Sequence, residues 1–145
     1  MSTTDDADQA EEEWVASERA KVVDYLSQQR CQHAGVGEWP AFHVDPYLAL
    51  WAVWSLKSEG SIGWWAISGD VPTDYMSRGS AHHPREAMRY FGSEWNAICD
   101  AMAEGVRRKG YMIGAPEDWP ELEPILRSRA RLLLRWADDD EIWDE

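Results

Sequence analysis

The sequence has few of the features that mark secreted, membrane or disulfide-rich proteins. Only two of its 145 residues are cysteine, Cys31 and Cys99, which is too few for a disulfide framework and favours a reducing compartment. No apolar run approaches the roughly 18 residues that a transmembrane helix needs. Residues 1–13 are acidic and lack the basic and apolar regions of a secretory signal. We therefore expect a soluble, cytoplasmic protein.

Recognisable catalytic motifs are also missing. The sequence has no G-x-S-x-G, H-E-x-x-H, Walker or G-x-G-x-x-G pattern. His33 and His43 are not spaced like metal ligands relative to the adjacent pair His82 and His83. The sequence thus indicates no catalytic residue, no metal site and no cofactor, and it favours a protein that is not an enzyme.

Basic charge is scarce and unevenly placed. The chain has 14 Lys and Arg against 27 Asp and Glu, a formal net charge of −13. Residues 1–18 carry seven acidic and no basic side chains, and residues 138–145 carry six acidic and none basic. Without a basic excess to release counterions, nucleic-acid binding is not expected. We predict a disordered acidic tail over 1–9, a single globular domain over 10–137 and an acidic C-terminal tail over 138–145.

Tryptophan, in contrast, is abundant, with ten residues. Two apolar runs, Leu48–Leu56 and Ile62–Ser68, flank the glycine-bearing connection Lys57–Ser61, an arrangement that predicts a β-hairpin. The first run is apolar at both odd and even positions, so both faces of its strand should be covered. A third strand is expected at Phe42–Leu48 or at Val71–Met76, because two strands alone are marginally stable.

Helical periodicity appears in three other segments. The first covers Ala10–Arg30, and the second covers Pro84–Lys109 with its proline at the first helical position. The third ends near Trp136 and begins at Pro120 or Pro124, either of which suits a first turn. The order α-β-β-α-α predicts the α+β class, with a small antiparallel sheet built on the Trp-rich hairpin and packed by three helices.

The polar stretch Ser68–Tyr75 is the strongest candidate for a ligand or partner site. It follows a predicted buried strand and combines carboxylates, hydroxyl groups and a phenol, and a pair of histidines follows it. The alternative is a structural turn, in which Gly69 and Pro72 shape the backbone. The candidate residues are Asp70, Thr73, Asp74, Tyr75, His82 and His83.

The excess of tryptophan suggests a second kind of site. Trp39, Trp119 and Trp143 lie in predicted loops or in the C-terminal tail, where exposed rings often anchor a protein partner. Acidic tails can raise the rate of association with a basic protein. A basic protein partner is therefore expected, and neither nucleic acid nor membrane.

Two segments also resemble a known family. Trp64–Met76 (WWAISGDVPTDYM) and Pro84–Trp95 (PREAMRYFGSEW) resemble the bacterial family known as domain of unknown function 4826. The resemblance runs from roughly Trp14 through Arg107 and is less clear over the Arg-rich final helix. It implies a small soluble protein of about this length, and it brings no activity and no catalytic residue.

Two hypotheses of function follow from these observations. The first is a non-enzymatic protein-interaction protein, such as an immunity-like or adaptor protein, which fits the small size, the acidity and the excess of tryptophan. The second is a small-ligand-binding protein or an enzyme with a site around Asp70, Asp74 and Tyr75. The second requires these side chains to converge on a pocket.

Overall fold

The computed structural model describes residues 3–44, 46–105 and 116–143. The chain divides into two compact units, Met1–Pro84 and Arg85–Glu145. The first unit contains α1 (Thr3–Gln28), β1 (Gly35–Val36), β2 (Phe42–Val44), β3 (Leu48–Trp54), β4 (Ile62–Gly69) and β5 (Asp74–Ser77). The second unit contains α2 (Pro84–Ala103), except for its first residue, and α3 (Trp119–Ala137). The predicted α+β class and its order of elements are confirmed.

Helix α1 is longer than the sequence predicts. It begins at Thr3, so residues 3–9, which were predicted to be disordered, form its first turns. No glycine or proline precedes Gly35, and acidic side chains near the positive end of the helix dipole favour this extension. The helix ends in a Schellman motif, because Cys31 N–H donates to the Leu26 carbonyl and Arg30 adopts a positive φ of 59°.

The sheet has five strands and is antiparallel at every pairing. Its order is β1-β3-β4-β5, and β2 also pairs with β3, on the same edge as β1. Both segments considered for a third strand contribute one, since β2 lies in Phe42–Leu48 and β5 begins in Val71–Met76 and ends one residue beyond it. The two-residue strand β1 was not predicted, because so short a strand shows no periodicity.

The predicted hairpin forms between β3 and β4, with one irregularity. Val53 pairs with Trp64 whereas Trp54 pairs with Ile62, so the register shifts and Gly63 is the extra residue of a bulge. The bulge interrupts the alternation of faces. Trp54 is partly exposed at the end of β3.

The core of the first unit lies between α1 and one face of the sheet. It contains Val15, Val22 and Leu26 of α1 and, from the strands, Val36, Ala49, Trp51, Val53 and Ala66. Leu48 and Leu50, on the opposite face of β3, are also fully buried. The prediction that both faces of this strand are covered is therefore confirmed.

The second unit is built on two antiparallel helices in close contact. A Cβ atom on Gly92 of α2 would lie 2.9 Å from Leu134 Cγ and 3.1 Å from the Ala130 carbonyl oxygen of α3. Glycine at this position therefore allows the helices to approach. Helix α2 begins at Pro84, as predicted, but ends at Ala103, before Gly105 with its φ of 73°. The predicted last turn, Arg107–Lys109, lies outside the described residues.

Two arginines of α2 stabilise the C-terminal end of α3. Arg85 Nε and Arg89 Nη2 both donate to the Ala137 carbonyl oxygen, at 2.6 and 3.1 Å. Arg89 also pairs with Asp138, and Arg85 pairs with Asp140. Cations suit the negative end of a helix dipole, and these donors satisfy a carbonyl that has no partner within the helix. The acidic residues that follow α3 thus belong in part to the folded structure.

Candidate functional site

The segment Ser68–Tyr75 is shaped mainly by the backbone. The Ser68 side chain is fully buried, and its Oγ accepts a hydrogen bond from Trp51 Nε1 at 3.1 Å. Gly69 has a φ of 124°, and a Cβ atom there would lie 2.4 Å from the Tyr47 carbonyl oxygen. That same carbonyl accepts a hydrogen bond from Asp70 N–H at 2.8 Å. The Ser-Gly-Asp sequence therefore has a structural explanation, which is a tight crossing of two chain segments.

Asp74 and the phenol of Tyr75 lie on different faces of the sheet. Asp70 is exposed in the turn after β4, whereas Asp74 and Tyr75 are consecutive residues of β5. Consecutive strand residues point to opposite faces of a sheet. Tyr75 pairs with Ala66 on the α1 face, and Asp74 pairs with Ile67 on the other face. Asp74 Oδ1 accepts a hydrogen bond from Tyr75 N–H at 2.8 Å, which is a local contact between adjacent residues of β5.

Tyr75 belongs to the edge of the core rather than to a pocket. Its ring contacts the ring of Tyr25 edge-on, with centroids 6.0 Å apart. Burial raises the pKa of Tyr75, and the nearby Cys31 and Asp74 raise it further. Burial also raises the pKa of the Cys31 thiol. A phenol and a thiol with raised pKa values are poor bases and nucleophiles at neutral pH.

The remaining candidates lie before and after this strand. Thr73 is half-buried just before β5, and His82 and His83 form the bend that precedes α2, exposed and half-buried respectively. Within the described parts of the chain, no three His, Cys, Asp or Glu side chains are arranged to hold a metal ion.

The three candidate tryptophan anchors differ in exposure. Trp39 is 48% exposed, whereas Trp119 is buried as the first residue of α3. Trp143 is half-buried, and its Nε1 donates a hydrogen bond to the Trp136 carbonyl oxygen at 2.8 Å. Trp39 is consequently the one of the three that presents a large part of its ring to solvent.

The Trp39 ring lies against side chains that the sequence did not single out. It contacts His43 of β2 edge-on, with centroids 5.5 Å apart and planes at 87°. Trp14 of α1 stacks on the same imidazole, with centroids 6.2 Å apart and planes at 28°. His43 Nε2 lies 2.8 Å from Glu11 Oε1. We call these four residues, together with the exposed Glu38, the Trp39 surface.

The loop that carries Trp39 is attached to β3 at both of its ends. Gly37 N–H donates to the Ala52 carbonyl at 2.9 Å, and Ala41 N–H donates to the Leu50 carbonyl at 2.8 Å. Arg19 of α1 adds hydrogen bonds to the carbonyl groups of Val36 and Gly37, at 2.8 and 3.0 Å. The ring is therefore presented from a well-supported loop, which lowers the entropy lost on binding.

The charge around the Trp39 surface is negative. Residues 1–84 contain 13 acidic and five basic side chains. Of the basic ones, Arg19 is bound to the main chain, and Lys21 pairs with Glu18 at 3.0 Å. Glu11 and Glu38 supply the two carboxylates of the surface itself. The surface thus combines exposed aromatic area with negative charge.

The polar groups of the second unit are engaged with one another. Arg127 of α3 pairs with Glu123 at 2.9 Å and with Asp100 of α2 at 2.8 Å, and these hydrogen bonds raise its pKa. Cys99 is fully buried and lies 3.7 Å from the Glu123 carbonyl oxygen. Burial raises the pKa of Cys99 to about 11, so this thiol is not a nucleophile at neutral pH.

Comparison with known proteins identifies a family but no individual related protein. The family model described as "Domain of unknown function (DUF4826)" matches residues 8–143. The chain belongs to this family. No curated protein and no solved structure matches it. No helix among the described residues is both long and apolar enough to cross a membrane.

The match to DUF4826 reaches further than the resemblance seen in the sequence. It includes all of α3 and continues to Trp143, whereas the resemblance seen in the sequence ends near Arg107. The arginines of α3 and most of the acidic C-terminal residues therefore lie within the matched range. The Trp39 surface, from Glu11 to His43, also lies within the matched range.

Proposed function

We propose that this member of DUF4826 is a non-enzymatic protein that binds another protein through the Trp39 surface. The observation that carries the proposal is the 48% exposure of a tryptophan ring on a loop fixed at both ends. Exposed tryptophan is costly to leave in water and is enriched at the energetic centres of protein interfaces. An adaptor or an immunity-like protein would use such a surface.

The alternative of an enzyme or small-ligand site draws less support. Such a site needs polar side chains that converge in a concave pocket. Asp70 is exposed in a turn, and Asp74 and Tyr75 lie on opposite faces of the sheet. The thiols and the phenol with raised pKa values add no reactive group. We therefore do not propose a second function.

The experiment uses a partner identified by affinity capture from native cytoplasm and then purified. Its Kd is measured for the wild-type chain, for Trp39→Ala and for Trp54→Ala. Trp54 is the matched control, since it is a tryptophan of the same unit with 36% exposure at the end of β3. Loss of a central anchor weakens binding by about 2 kcal/mol or more, roughly 30-fold in Kd.

The expected result is a large loss for Trp39→Ala and less than about a threefold change for Trp54→Ala. Equal affinities of wild type and Trp39→Ala would overturn the proposal, and so would the absence of any stoichiometric protein partner. Circular dichroism of both variants checks that the fold is retained. Because the Trp39 ring is half exposed, its truncation should leave the core intact.

A further inference from the structure

The Trp39 surface has a chemistry that selects its ligand. We infer that it binds a positively charged side chain, arginine or lysine, presented by a basic segment of the partner protein. The inference rests on the proposed function and deepens it, because it names the group that contacts Trp39. It follows from the arrangement of the rings, from the position of the carboxylates and from the charge of the surrounding unit.

The rings provide two aromatic walls around one imidazole. The Trp14 plane is inclined by 28° to the His43 ring, and the Trp39 plane by 87°. The two indoles are thus held at a steep angle to each other. A cation is attracted to the face of an aromatic ring, and tryptophan gives the strongest attraction of the three aromatic types. Trp39 is 48% exposed and so accessible to such a cation, while Trp14 is packed against the core and holds its ring in place.

The Trp39 surface carries two carboxylates that can pair with a cation. Glu11 Oε1 is held at 2.8 Å from His43 Nε2, and the Glu11 side chain is still 36% exposed. Glu38 precedes Trp39 in the chain and is exposed. A guanidinium group can stack on an indole and donate to carboxylates at the same time, because it is planar and carries five N–H donors.

The charge of the first unit disfavours an anionic ligand. Its 13 acidic and five basic side chains repel phosphate groups and acidic peptides. Arg19 and Lys21, which lie nearby along α1, are engaged with the main chain and with Glu18. A purely apolar anchor would use the Trp39 ring but would gain nothing from the carboxylates. The two ligands can therefore be separated by experiment.

The first test uses peptides in place of the partner. The full-length chain, labelled with ¹⁵N, is titrated with acetyl-Gly-Gly-Arg-Gly-Gly-amide and with the same peptide containing citrulline. Citrulline keeps the shape of arginine but lacks its charge. Ten indole N–H signals report on the ten tryptophans. We expect saturable shifts of the Trp14 and Trp39 signals with the arginine peptide, with a Kd on the order of 1–10 mM. Equal shifts with both peptides, or none, would overturn the inference.

Substitutions of Trp39 and of Glu38 test whether the aromatic ring and the carboxylate each contribute to binding of the arginine peptide. Trp39→Phe keeps an aromatic face, whereas Trp39→Leu keeps apolar area without one. We expect the arginine peptide to bind Trp39→Phe a few times more weakly and Trp39→Leu at least ten times more weakly. Glu38→Gln should weaken binding about two- to fivefold, while Glu59→Gln, an exposed carboxylate in the turn after β3, should have no effect. Identical losses in the two glutamine variants would contradict a local role of Glu38.

Different results would contradict the inference and the proposed function. If Trp39→Ala abolishes partner binding but Trp39→Leu binds as tightly as the wild type, the partner contacts this position with an apolar group. The inference is then wrong, and the proposed function still holds. If partner binding is insensitive to Trp39→Ala, the proposed function falls, whatever the peptides do. Both the proposed function and the inference are supported if the partner binds Trp39→Phe more tightly than Trp39→Leu and if its affinity falls as salt is raised.

Discussion

The indole N–H of Trp51 donates its hydrogen bond to Ser68 Oγ, and both side chains are completely buried. The bond joins the central strand β3 to the end of β4, where the Ser-Gly-Asp turn begins. Buried tryptophan needs a partner for its one polar atom. Ser68 therefore supplies the acceptor that the buried Trp51 indole needs.

Ser68→Ala should lower the free energy of unfolding by about 1–3 kcal/mol, because it leaves the Trp51 N–H buried without an acceptor. Urea denaturation followed by tryptophan fluorescence measures this change. Ser93→Ala, at an exposed position of α2, serves as the control and should change stability by less than about 0.5 kcal/mol. Similar values for the two variants would show that the hydrogen bond contributes little.

Gly69→Ala should be more damaging than Gly60→Ala. Both glycines have positive φ, 124° and 79°, so both substitutions strain the backbone. At Gly69 the added Cβ would also lie 2.4 Å from the Tyr47 carbonyl oxygen and 2.6 Å from Leu48 Cα, whereas nothing lies within 4 Å at Gly60. We expect a loss of about 1 kcal/mol at Gly60 and of about 3 kcal/mol or more at Gly69, again from urea denaturation. Equal losses would mean that the crossing of the two segments relaxes easily.

The arginines at the end of α3 should matter more than the carboxylates that they meet. Arg85→Met and Arg89→Met together remove both side-chain donors to the Ala137 carbonyl, and we expect a loss of about 1–3 kcal/mol. Asp138→Asn and Asp140→Asn together should lose less than about 1 kcal/mol, because these carboxylates are 74% and 89% exposed.

Thermal unfolding at low and at high salt separates these two contributions. The loss in the aspartate variants should shrink as salt is raised, since exposed ion pairs are screened. The loss in the arginine variants should persist in part. If it disappeared completely at high salt, the hydrogen bonds to the carbonyl would have no measurable role.

Stability should fall in alkaline solution through Cys99. The pKa of this thiol is raised by burial from 9.0 to about 11, so the folded chain holds its proton more tightly than the unfolded chain does. The resulting contribution to stability is complete below pH 9 and is lost as the pH rises through about 11. In Cys99→Ala the decrease in stability between pH 8 and pH 11 should therefore be smaller than in the wild type. Urea denaturation at several pH values tests this, and parallel pH profiles would contradict it.

The elements with strong local periodicity could be predicted from the sequence. The hairpin of β3 and β4 has two apolar runs around a glycine-bearing turn, and α2 begins at the proline expected to start it. The end of α2 was harder, because Gly105 and Gly110 are both suitable terminators and only the structure selects the first. The start of α1 was also placed too late, since an acidic composition suggested disorder where no helix-breaking residue occurs.

The sites were less predictable than the elements. The polar residues of Ser68–Tyr75 suggest a ligand site in the sequence. In the structure, the close contact of Gly69 with Tyr47 and the burial of Ser68 explain why serine and glycine occur there. The Trp39 surface depends on a contact between Glu11 and His43, which are 32 residues apart. No local pattern signals such a pairing, and His43 had been considered only as a metal ligand.

The position of Arg19 also has a consequence for how the protein resists aggregation. Strand β1 lies at the edge of the sheet, where free carbonyl groups can recruit a strand from another molecule. Here the Arg19 guanidinium occupies the carbonyl groups of Val36 and Gly37. A neighbouring chain would have to displace a charged side chain before it could pair with this edge. The residue that holds the Trp39 loop therefore also protects this edge of the sheet from pairing with a strand of another molecule.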